Sequence, residues 1–103
     1  AARRSRTRRT SGPGMISKEF RISNRLGLHA RPSAQLTQVA GKFASEVYIA
    51  KNGRRVNAKS IMGVMMLAAG PGSTVTVDAE GPDEEQAMEA IGALIASRFG
   101  EHE

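Results

Sequence analysis

The chain has 103 residues, enough for one small domain with a modest core and too few for a deep cleft built around a cofactor of its own. Hydrophobic residues make up 40%, aromatics only 4%, and there is no cysteine, which excludes disulfides, thiolate metal sites and a cysteine nucleophile together. The formal net charge of +5 is carried by the first 14 residues, which hold Arg3, Arg4, Arg6, Arg8 and Arg9 and no acid, so residues 15–103 are neutral as a body.

Residues 1–14 show no apolar periodicity and end in Ser-Gly-Pro-Gly, so they read as a disordered Arg-rich extension ahead of a domain over 15–103. Met15 reads as a natural start, with the arm upstream of it. No apolar segment follows the arginines as a secretion signal would need. The longest apolar run, 61–69, is far too short to span a bilayer, so no membrane role is expected.

In 16–23, Ile16, Lys18, Phe20 and Ile22 alternate with Ser17, Glu19, Arg21 and Ser23, the period of a half-buried strand. A turn over 24–28 contains Gly27. From Ala30 the period becomes helical, with Pro32, Leu36, Val39 and Phe43 on one face and Gly41 at the end. Val47 and Ile49 alternate with Glu46 and Tyr48 as a second strand. Asn52-Gly53 is a two-residue hairpin signal, and Val56 and Ala58 mark the returning strand. Ser60 stands where a helix cap belongs, before an apolar helix that Gly70-Pro71-Gly72 stops. Val75, Val77 and Ala79 form a fourth strand. Asp83-Glu84-Glu85-Gln86 has the spacing of a capping box. Ala87, Met88, Ile91, Leu94, Ile95 and Phe99 make the apolar stripe of a last helix. The order β-α-β-β-α-β-α predicts an α+β fold of two layers, an antiparallel four-stranded sheet with three helices on one face.

There are two histidines. His102 lies in the terminal Glu-His-Glu. His29 falls between the Gly27 turn and the first helix, at the N-cap. The first-turn amides of a helix have no intrahelical partner and carry partial positive charge, so an anion is stabilised there. The same field works against a positive charge on the ring and favours a nucleophilic imidazole. A phosphoryl group on a ring nitrogen could accept hydrogen bonds from the Ala30 and Arg31 amides, and the Arg31 guanidinium suits phosphoryl oxygens. The competing reading is a plain helix cap or an exposed loop residue. A metal site is not expected, because no second histidine is available in the body.

Charge is split along the body. Residues 15–60 hold nine bases and two acids, and residues 61–103 hold one base and eight acids, so acidic partners would be steered to the first half. On the 61–69 helix, Val64, Leu67 and Ala68 can serve the core. That leaves Ile61, Met62 and Met65 outward as a methionine-rich patch able to adapt to several partners.

The segment Gly27-Leu28-His29-Ala30-Arg31-Pro32 resembles the active-site signature of the HPr family, the histidine-containing phosphocarriers of the bacterial sugar phosphotransferase system. Lys59-Ser60-Ile61-Met62-Gly63-Val64-Met65 resembles that family's second signature, and the resemblance covers residues 15–103. It implies an open-faced β-sandwich with strand order 1-4-2-3, no cofactor, and a cytoplasmic monomer that acts as a stoichiometric carrier, not an enzyme. It implies that His29 takes a phosphoryl group on Nδ1 from phosphorylated enzyme I and passes it to enzyme IIA domains, with Arg31 beside the phosphate. It also implies regulatory phosphorylation of Ser60 by an HPr kinase/phosphorylase, and a partner surface at Ile61, Met62 and Met65 near the histidine. Two alternatives stand beside this. One is a nitrogen-branch paralogue with the same chemistry. The other is a nucleic-acid-binding module that uses the arginine arm.

Overall fold

The structure, a computed structural model, describes residues 8–9 and 15–100. Strand β1 spans Ile16–Arg21, β2 Glu46–Lys51, β3 Arg54–Asn57 and β4 Thr74–Glu80; helix α1 spans Ala30–Gly41, α2 Ile61–Met66 and α3 Glu84–Ala96. The four strands are antiparallel in the order β1-β4-β2-β3, as expected. Two residues of the arm, Arg8–Arg9, form a short strand on the outer edge of β1, opposite Ser17 and Ile16, where the sequence reads no element. The remainder of the arm and His102 lie outside the described residues.

Strand alternation sorts the two faces. Val47, Ile49, Val75, Val77 and Ala79 are buried, and the register sets Val47 against Ala79 and Ile49 against Val77. α3 lies over β1 and β4, α2 touches β3, and α1 packs on α2 and α3. Leu36, Val64, Leu67, Ile91 and Ile95 close the core from the helix side. On the other face the Arg55 guanidinium stacks on the Tyr48 ring at 4.0 Å, and Arg55 Nε donates to Asp78 Oδ2 at 3.1 Å. This pairing removes Arg55 from the basic set that the first half offers to partners.

Asn52 and Gly53 take φ of 52° and 84°, the left-handed pair that a two-residue hairpin of this twist demands. Three details depart from the sequence reading. Asp83 does not cap its own helix. Its carboxylate accepts from the Ala44 and Ser45 amides, both at 2.9 Å, and from Ser45 Oγ, while Glu84 Oε1 takes the Gly81 amide at 3.0 Å. The cause is the close approach at Gly81, where a Cβ would lie 2.6 Å from Ser45 Cα. That contact brings the 42–45 loop over the start of α3. Phe99 is buried as expected but not by a continuing helix: α3 ends at Ala96, and positive φ at Arg98 and Phe99 folds the ring back. Ala68 is exposed and Ala69 buried, because a φ of 51° at Ala68 turns the chain after α2.

Candidate functional site

His29 is the N-cap of α1, extended at φ −82° and ψ −167°, and its imidazole makes no capping hydrogen bond to the helix. Its carbonyl accepts the Ser33 amide at 3.0 Å and so starts the helix. The residue is half-buried, held at the surface and outside the core. Ala30, Arg31 and Pro32 follow as the first turn. Proline fits there because its missing N–H would have no partner inside the helix. The Ala30 and Arg31 amides belong to the same unpartnered turn, with the dipole's positive end behind them. Arg31 is exposed.

The turn before His29 is fixed from three sides. Asn24 is fully buried, and its Nδ2 donates to the Gly27 carbonyl at 2.8 Å. Gly27 holds φ +70°, and a Cβ there would come within 2.7 Å of Gly70 Cα and closer still to the Ala69 carbonyl. The Leu28 amide donates to the Ala69 carbonyl at 2.8 Å, and Ser33 Oγ to the Leu28 carbonyl at 3.2 Å. The histidine loop therefore leans on the segment that leaves the C-terminal end of α2. Lys51 Nζ donates to the Ala68 carbonyl at 3.1 Å, so the hairpin places a cation on this same segment. Sequence reasoning missed Lys51. A lysine at a hairpin end carries no signal of which carbonyl it will reach.

Ser60 caps α2 as expected, its hydroxyl accepting from the Gly63 amide at 3.2 Å. Lys59 beside it is anchored, its Nζ donating to the Phe43 carbonyl at 2.9 Å. Ser60 and His29 sit toward opposite ends of α2, whose six residues rise about 9 Å. Ile61, Met62 and Met65 are exposed between those ends, while Val64 faces the core. Leu26, in the histidine turn, and Met66, at the α2 end nearest that turn, are also exposed and extend the apolar set toward His29. The sequence reading lacked both. Their outward position follows from the Gly27 turn and from the short length of α2. Among the described residues no cluster of His, Cys, Asp and Glu could hold a metal ion, and no helix is long and apolar enough to cross a membrane.

A surface histidine at a helix mouth, with an arginine two residues on and an apolar helix alongside, can bind an anion on one side and a protein on the other. Comparison with known proteins points the same way. Residues 16–97 match the family described as "PTS HPr component phosphorylation site". The phosphocarrier protein HPr of Cupriavidus necator is 64% identical over 89 residues, covering 86% of this chain and all of that protein. The crystal structure of HPr from Thermoanaerobacter tengcongensis superposes with a TM-score of 0.82 at 47% identity, covering 84% of this chain and 98% of that one. Crh of Bacillus subtilis, described as a dimer with a swapping domain, gives a TM-score of 0.66 at 43% identity over 77% of this chain and 91% of that one.

Proposed function

The chain belongs to the HPr family of phosphocarriers, and from that premise we propose that His29 carries the phosphoryl group between enzyme I and enzyme IIA domains. The observation that carries the reading is the placement of His29: a half-buried N-cap whose imidazole leaves the first-turn amides uncapped.

In the accepting step, the Nδ1 lone pair of an imidazole protonated on Nε2 attacks the phosphorus held on enzyme I. The new N–P bond forms as the donor's N–P bond breaks, and the electron pair returns to the donor nitrogen. The phosphoryl oxygens then accept from the Ala30 and Arg31 amides and from the Arg31 guanidinium. The field of the α1 N-terminus steadies the added negative charge. Transfer to an enzyme IIA histidine is the same exchange in reverse, so the chain is consumed and regenerated as a stoichiometric carrier. Ile61, Met62 and Met65 form the docking face for both partners in the cytoplasm, and the chain works as a monomer. Ser60 is a regulatory phosphorylation site for an HPr kinase/phosphorylase. A phosphate there would sit on a favourable helix end and place charge at the rim of the docking face.

Incubation with enzyme I and phosphoenolpyruvate, followed by intact mass, tests the carrier role. One acid-labile phosphate is expected on the wild-type chain and none on His29→Ala. Equal labelling of the two proteins, or no labelling of either, removes the proposal.

A further inference from the structure

The methionines of this chain are unevenly placed. Of the five, Met88 sits in the core at 3% exposure, whereas Met62, Met65 and Met66 stand on α2 at 67%, 40% and 61%. Met15 is half-buried. The exposed three share a single short helix, held to the core by Val64 and, just past its end, Leu67. These three side chains meet solvent, and none belongs to the core cluster.

We infer that Met62, Met65 and Met66 form a reversible oxidation site that controls docking to the phosphotransfer partners. The inference rests on reading the α2 face as the docking surface. The co-reactant is a hydroperoxide. The thioether sulfur takes one oxygen atom, an S–O bond forming as the O–O bond breaks, and with hydrogen peroxide the second oxygen leaves as water. A flexible apolar side chain thereby becomes a polar one with a strong acceptor oxygen. A partner surface shaped for thioethers supplies no donor to that oxygen, so each docking event strips water from a dipole without replacing the hydrogen bond. The turn that positions His29 keeps its bond from the Leu28 amide to the Ala69 carbonyl, so the chemical step is left intact while the encounter is weakened. Met88 remains reduced because the folded core shields it.

The test uses the full chain, treated with dilute hydrogen peroxide and freed of it before assay. Intact mass and peptide mapping are expected to find up to three added oxygen atoms, on Met62, Met65 and Met66, before any on Met88. Initial rates of phosphoryl acceptance from phosphorylated enzyme I, taken over a range of carrier concentrations, are expected to give a KM raised about tenfold or more with kcat little changed. Circular dichroism stays unchanged, and methionine sulfoxide reductases acting on both epimers, with a dithiol that is oxidised to its disulfide as the sulfoxide oxygen leaves as water, restore the KM. In the M62L/M65L/M66L variant, the treated sample matches its own untreated control, which assigns the effect to these sulfurs. Oxidation of Met88 first, or an unaltered KM in the triply oxidised chain, overturns the inference. Ile61→Asp separates the two ways of failing. If that variant slows acceptance and oxidation does not, the docking face stands and the oxidation site falls. If neither slows it, the docking reading falls and the inference with it.

Discussion

At Gly27 the backbone is left-handed at φ +70°, and the Ala69–Gly70 backbone occupies the space a Cβ would need. Both features penalise any side chain, so Gly27→Ala is expected to cost about 2 kcal/mol or more, measured by denaturant unfolding. It should also slow phosphoryl acceptance, because the turn it distorts positions His29 two residues later. His29→Ala is the opposite case. The imidazole makes no capping bond, so stability should change by no more than about 1 kcal/mol while phosphoryl uptake is lost. A destabilisation of His29→Ala as large as that of Gly27→Ala would mean that the ring is a structural prop. Arg31 is exposed at the helix mouth. Arg31→Ala is expected to lower the acceptance rate by about tenfold or more, with melting little changed, since the role proposed for it is toward the charge on phosphorus and not in packing.

Among the elements, α2 and α3 begin with different kinds of cap, and each makes a distinct prediction. Ser60 caps α2 locally, so Ser60→Ala should lower stability by about 1 kcal/mol. Ser60→Asp should keep the cap, since aspartate suits that position, yet slow acceptance at His29 by placing a charge at the rim of the proposed docking face. Acceptance by Ser60→Asp at the wild-type rate would count against a regulatory role for the phosphate. Asp83 ties α3 to the 42–45 loop instead. Hydrogen bonds from Ser45 and then from the Ala44 amide hold its carboxyl below its ordinary value of 3.8. A depressed folded-state pKa stabilises the fold above the unfolded value, and the contribution is lost as pH falls below 3.8 toward the folded value. Acid unfolding of wild type should therefore show a stability loss in that range which Asp83→Asn lacks. Parallel acid-unfolding curves for the two proteins would contradict this role of the carboxylate.

Over the whole molecule, what the sequence made legible was local and periodic: the strand alternation, the Asn52-Gly53 turn, the His29 and Ser60 caps, and a second signature fixing the family. What it concealed was long-range. The Asp-Glu-Glu-Gln spacing reads as a self-contained cap, but Asp83 is drawn 38 residues away to Ser45 by the close approach at Gly81. Lys51 joins the His29 neighbourhood through the Ala68 carbonyl, a contact set by tertiary packing alone. Arg55 leaves the basic set because strand register brings it to Asp78 and Tyr48 on the open face. The molecule that results has a rigid sheet on one side, and on the other a histidine at a helix mouth beside an apolar helix. Under the proposed function this mouth, not the side chain alone, holds the transferred group. The most direct measurement is heteronuclear NMR of the chain after reaction with enzyme I and phosphoenolpyruvate, following phosphorus coupling to the ring and the backbone amides of α1. We expect phosphorus bonded to Nδ1 of His29, with the largest amide shifts at Ala30 and Arg31. Phosphorus on any other residue, or amides of the first turn that do not respond, would contradict it.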